Sequence, residues 1–141
     1  MSMDATVVWK KGLSFDGTGH TSGFSLPLGA DPSAGGENDG FRPTELLLVG
    51  LAGCTAMDVI SILSKKRQNV TGFEVKAHGE RAAQDPKRFK SFFVEYVVKG
   101  EGIDPAAAER AVELSEDKYC SVMATLRQAG PVERKITILE A

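Results

Sequence analysis

Polar and apolar positions alternate in short runs at the start of the chain. Residues 5–9 (ATVVW), 13–15 (LSF) and 23–28 (GFSLPL) are β-prone and are separated by the turn-rich stretches KKG and DGTG. This pattern predicts an N-terminal β-meander of short antiparallel strands. Residues 29–40 (GADPSAGGENDG) have four glycines, one proline and no large apolar side chain, and read as a loop. The rhythm then changes. From Leu46 to Leu63 apolar residues fall on every side of a helix, which predicts a helix covered on most faces. Pro43 suits its first turn, Glu45 favours the positive end of its dipole, and Lys65, Lys66 and Arg67 suit its C-terminus. The expected helix spans about 44–66 and would be ~33 Å long at 1.5 Å per residue. One small chain would struggle to cover it, so a second subunit is expected to supply part of the cover.

Period-two alternation returns at 71–80 (TGFEVKAHGE), with Phe73, Val75 and Ala77 on one face. QDPK at 84–87 reads as a turn, and 89–99 (FKSFFVEYVVK) is the strongest strand in the sequence, ended by Gly100 and Gly102. Asp104 and Pro105 form an N-cap and first-turn proline for a helix whose Ala107, Ala111 and Leu114 share a face. A break is expected near Ser115–Lys118, then a short helix from about Tyr119 to Gln128, stopped by Gly130 and Pro131. Residues 132–139 (VERKITIL) read as a terminal strand. Strands come in runs rather than alternating strictly with helices, so the expected class is α+β, in a single domain over residues 1–141.

Composition narrows the function classes. A 141-residue chain with 17 Lys plus Arg and 19 Asp plus Glu has a net charge of −2. With a pI near 5.7, it carries no footprint of a nucleic-acid binder or of a protein drawn to anionic membranes. The N-terminus lacks the apolar core of a secretory signal. The most apolar window, Leu46–Met57, falls short of the ~20 residues of a spanning helix. The expected location is cytoplasmic, with no metal and no bound cofactor.

The chain has two cysteines, Cys54 and Cys120. From the residues alone they are buried hydrophobes, a redox pair, or a nucleophile and a spare. Gly50 and Gly53 precede Cys54 inside the helix, where each glycine costs about 1 kcal/mol relative to Ala; this suggests close approach of another backbone or a substrate. Cys120 lies at a helix start beside Lys118, a setting that lowers a thiol pKa, although a first-turn core residue fits equally. Asp58 falls four residues after Cys54 on the same helix face, either as a polar wall of a site or as a hydrogen-bond partner. A carboxylate there would raise the thiol pKa unless a cation intervenes. Glu45, nine residues before Cys54, is half a turn away, and a first-turn acid on the helix dipole accounts for it. His20 and His78 have no metal-ligand spacing to either cysteine.

The stretch PTELLLVGLAGCTAMDVISIL, followed some 55 residues later by LSEDKYCSVMATL, resembles the OsmC/Ohr superfamily, most closely its OsmC-like branch. The resemblance implies an α+β intertwined homodimer with the long cysteine helices packed centrally. It implies that Cys54 is a peroxidatic thiolate attacking organic hydroperoxides and that Cys120 resolves the sulfenic acid as a disulfide. It further implies an external dithiol or lipoyl reductant, with Glu45 the residue nearest the glutamate that supports the thiolate in the peroxidases. Two departures stand out. The peroxidases place that glutamate directly after the helix-starting proline, where this chain has Thr44, with Glu45 one residue later. They also draw an arginine from the N-terminal loop, and residues 10–40 contain none, leaving Arg42 as the nearest candidate. The alternative expectation is therefore a non-catalytic member, either binding an apolar small molecule or sensing redox state through its thiols.

Overall fold

The computed structural model describes residues 1–141, which form two compact units, residues 1–47 and 48–141. In the first, β1 (Ala5–Lys11), β2 (Ser14–Gly19) and β3 (Ser25–Leu28) make the expected antiparallel meander in the order β1-β2-β3. Gly12, at φ 50°, takes the left-handed turn between β1 and β2, and the Trp9 indole N–H donates to its carbonyl at 2.9 Å. The loop that follows contains a 3-10 turn at Pro32–Ala34, capped by Asp31, which accepts the Ser33 N–H at 2.8 Å.

Helix α1 runs Pro43–Lys65, within one residue of the sequence expectation at each end. Glu45 Oε1 accepts the Arg42 backbone N–H at 2.9 Å, so the acid satisfies a free donor at the helix start as well as the dipole. Leu51, Thr55, Val59 and Leu63 form its buried stripe, each four residues from the last. Leu47, Val49, Met57 and Ile60 remain exposed, Met57 at 73%. The helix is long and apolar enough to cross a membrane by length and composition.

In the second unit, β4 (Asn69–Arg81), β5 (Phe89–Glu101) and β6 (Val132–Glu140) form a sheet in that order. β4 pairs antiparallel with β5, and β6 lies parallel to β5. A parallel neighbour requires a crossover, which α2 (Pro105–Leu114) and α3 (Ser121–Leu126) provide. Phe92, Val94, Tyr96 and Val98 of β5 alternate into the core with Leu51, Val59 and Leu63 of α1, Val112 of α2 and Met123 of α3. Tyr96 is central in this strand, opposite Val75 of β4 and Ile136 of β6, and fully buried. This α+β architecture matches the expected class.

Asp104 caps α2 as expected, its Oδ1 accepting the Ala106 N–H at 3.0 Å, with Pro105 at the first helical position. Asp104→Ala is expected to lower the stability by about 1 kcal/mol, read as a lower urea midpoint at unchanged m.

The expected break at Ser115–Lys118 is instead a π-helical turn at Ser115–Tyr119, closed by the Cys120 N–H on the Ser115 carbonyl at 2.8 Å. The helical path therefore continues wider rather than stopping, and it buries two consecutive polar residues, Ser115 and Glu116. The last helix is also shorter than the expected Tyr119–Gln128, because Cys120 is its cap and the chain turns off after Leu126.

Candidate functional site

Three sequence candidates meet at one place. Cys54 and Asp58 stand one turn apart on α1, and the π turn delivers Cys120 to them. The two sulfurs and an Asp58 carboxylate oxygen all lie within 4.8 Å of one another. Both cysteines are free thiols, with Cys54 half-buried and Cys120 buried. Glu45 is not in this group, its carboxylate being engaged at the start of α1. Arg42 is held by its own loop. Nη1 donates to the Gly40 carbonyl at 3.0 Å, and Nη2 donates to Asn38 Oδ1 at 2.5 Å and faces Asp31 at 3.7 Å.

Of the two readings of Cys120, the buried residue at the helix start holds and the lowered thiol pKa does not. Burial is the largest influence and, with the adjacent Cys54 thiol, pushes it up to about 12. The Met123 N–H, donating to Cys120 Sγ at 3.3 Å, works the other way and is outweighed. The local lysine gives no help, because Lys118 Nζ stands 5.5 Å over the Tyr119 ring. At neutral pH Cys120 is therefore a protonated thiol, and of the pair Cys54 is the one open to a reagent. Two thiols and a carboxylate at this spacing are also donors that metals use.

Behind the trio runs a buried polar chain that the sequence reading missed. Ser115 Oγ donates to Asp58 Oδ2 at 2.9 Å. Ser115 Oγ also lies 2.8 Å from Thr55 Oγ1, which lies 2.9 Å from the Tyr96 hydroxyl. Tyr96 donates to Glu116 Oε2 at 2.8 Å. Arg134 of β6 closes the chain, with Nη1 donating to Glu116 Oε1 at 3.1 Å and Nη2 to Glu109 Oε1 at 2.9 Å. Arg127 adds a donor to the Glu116 carbonyl at 3.3 Å. Burial, together with the charge on Glu116, holds the Tyr96 phenol well above the ordinary tyrosine range, so it is a neutral hydroxyl. Hydrogen bonds to Glu109 and Glu116 more than offset the burial of Arg134 and hold it firmly charged. The available signal was Ser115–Glu116, a polar pair directly following an apolar helix face.

Cavities of ligand size lie in both units. A groove of about 470 Å³ and mixed polarity beside the trio is lined by Asp58, Ser61, Ile62, Lys65, Leu114 and Tyr119. In residues 1–47, an apolar cavity of about 460 Å³ is bordered by Val7, Leu13, Phe15, Leu28 and Pro43, and another of about 400 Å³ by Leu26 and Leu46.

Comparison with known proteins bears on the family and the fold. The family model described as OsmC-like protein matches residues 36–135. Protein YhfA of Escherichia coli K12 is 37% identical over 139 residues, covering 99% of this chain and all of that protein. Among solved structures, a hypothetical protein from Aquifex aeolicus VF5 superposes with a TM-score of 0.86 at 27% identity, covering 100% of this chain and 98% of the other. An organic hydroperoxide resistance protein OsmC from Legionella pneumophila shares the fold with a TM-score of 0.69 at 18% identity, covering 97% of each chain. Within the fold, α1 contributes Leu51, Val59 and Leu63 to the core. The chain belongs to the OsmC-like family.

Proposed function

We propose that the protein is a cysteine-dependent peroxidase that reduces organic hydroperoxides, in oxidative-stress defence in the cytoplasm. The carrying observation is the pairing of a half-buried Cys54 with a buried, protonated Cys120, their sulfurs within 4.8 Å. Cys54 attacks the peroxide and becomes a sulfenic acid. Cys120, kept as a thiol until then, condenses with it to a disulfide before a second oxidant arrives. A dithiol, such as a lipoyl group, then reduces the disulfide. Two copies would cover each other's exposed α1 residues Leu47, Val49, Met57 and Ile60, in keeping with a homodimer. The Legionella relative's description as an organic hydroperoxide resistance protein supports the same chemistry.

A second reading is favoured by the apolar cavity of about 460 Å³ and by the engagement of Arg42 and Glu45 in local bonds. On that reading the protein binds an apolar small molecule, or senses redox state, without turnover. The test is treatment of the reduced protein with cumene hydroperoxide and, separately, hydrogen peroxide. Rapid loss of two mass units, mapped to a Cys54–Cys120 linkage and faster with the organic peroxide, is expected. Slow or absent oxidation by both would reject the peroxidase reading in favour of binding.

A further inference from the structure

The polar chain behind the thiols does not have enough protons for its contacts. Asp58, Ser115, Thr55, Tyr96 and Glu116 are joined by four oxygen–oxygen contacts of 2.8–2.9 Å. Three hydroxyls bring three protons. With both carboxylates ionised, Ser115 donates to Asp58 and Tyr96 donates to Glu116. Thr55 then has one proton for two neighbours. One contact is left as two oxygens facing each other with no hydrogen between them, among side chains that are fully buried.

One more proton removes the conflict. With it on Asp58, every bond runs in one direction, from Asp58 through Ser115, Thr55 and Tyr96 to Glu116. Arg134 at 3.1 Å and Arg127 at 3.9 Å keep the negative charge at the Glu116 end. A proton that the chain takes up is therefore accommodated at the Asp58 end, within 4.8 Å of both sulfurs.

We propose that Asp58 is the acid–base catalyst of the thiol site, and that Ser115, Thr55, Tyr96 and Glu116 position it and make it a proton acceptor. The proposal rests on the peroxidase reading for its substrate. The Cys54 S–H proton passes to the Asp58 carboxylate, and the thiolate attacks the outer oxygen of the hydroperoxide. The S–O bond forms and the O–O bond breaks. The departing alkoxide takes the proton from Asp58 and leaves as the alcohol. In the second step the Cys120 proton passes to Asp58 and the Cys120 sulfur attacks Cys54. The S–O bond breaks, and the hydroxide takes the same proton and leaves as water. Asp58 ends ionised, and both oxidising equivalents reside in the disulfide. This gives the chain a means of activating Cys54 while Arg42 and Glu45 are engaged elsewhere.

The other groups facing Asp58 are Lys65 and Tyr119, which share its groove, and the two thiols. Glu109 pairs with Arg134 at the far end.

The experiment is site-resolved alkylation of Cys54 by iodoacetamide from pH 5 to 9, followed by peptide mass in wild type, Asp58→Asn and Thr55→Val. It needs no peroxide, so failure of the peroxidase reading leaves this test standing. An asparagine amide donates to Ser115 as a protonated Asp58 would, so it keeps the chain filled but accepts no proton. If Asp58 is the base, Asp58→Asn slows Cys54 alkylation at pH 7 by about a hundredfold. Its rate then climbs about tenfold per pH unit, more steeply than in wild type. Thr55→Val, which leaves Asp58 and both sulfurs in place, slows it partway. If Asp58 acts only as a nearby negative charge, Asp58→Asn relieves the repulsion and speeds alkylation, and Thr55→Val changes nothing. That result overturns the proposal, as does an unchanged rate in Asp58→Asn.

Discussion

Cys120→Ser should turn a reversible oxidation into a destructive one. In wild type, organic hydroperoxide is expected to remove two mass units and stop, because the disulfide shields both sulfurs. In the serine variant Cys54 should first gain one oxygen as sulfenic acid and then a second as sulfinic acid, which a dithiol cannot reverse. The structural reason is the absence of any other thiol near Cys54: the chain has two cysteines, and they face each other within 4.8 Å. Serine keeps the oxygen needed to accept the Met123 N–H, so the cap of α3 survives and the fold is retained. Cys54→Ser should instead abolish consumption of the peroxide and leave Cys120 as a thiol, since burial holds its proton to about pH 12. The comparison is made by intact mass after one and ten equivalents of cumene hydroperoxide. Equal oxidation of Cys120 in the Cys54→Ser variant would mean that the order of the two cysteines is wrong.

The sequence carried the elements because their signals are local. The apolar run from Leu46 to Leu63, the alternation in FKSFFVEYVVK and the Asp104–Pro105 pair each fix an element within a few residues. Cys54 and Asp58 on one helix face were legible for the same reason. The polar chain was not. Alternation places Tyr96 inside with Phe92, Val94 and Val98, so it reads as one more core residue. The groups that meet its hydroxyl are 41 residues before it and 20 after it, and only tertiary packing joins them. The π turn was hidden because Ser115 and Glu116 are polar, and polar residues after a helix face read as its end. The two readings of Cys120 stayed open for the same reason. Lys118 and the helix start are visible locally and argue for a lowered thiol pKa, whereas burial is invisible locally and is the larger influence.

Burial of Cys120 also predicts that the reduced protein loses stability in alkali. Its thiol moves from an ordinary value near 9 to about 12 on folding. Below pH 9 the proton is present in both states and nothing is lost. Between pH 9 and 12 the unfolded chain has released it and the folded chain still holds it. The unfolded state then binds fewer protons, so stability falls as pH rises, by a little over 1 kcal/mol per pH unit. Across the window the loss accumulates with each pH unit. The Tyr96 phenol, also raised by burial, acts in the same direction above pH 10 or so. Urea unfolding of wild type and Cys120→Ala at pH 8 and pH 11 reads the buried thiol together with its coupling to Cys54, because the remaining titrating groups are shared. The alanine variant should start lower, from the cavity it leaves, and lose less stability over the interval. Parallel losses in the two proteins would show that the thiol ionises equally in both states, and the buried, proton-holding role of Cys120 would fall with it. The disulfide has no thiol to ionise, so the oxidised protein should share the flatter profile of the alanine variant, and reduction by a dithiol should restore the steep one.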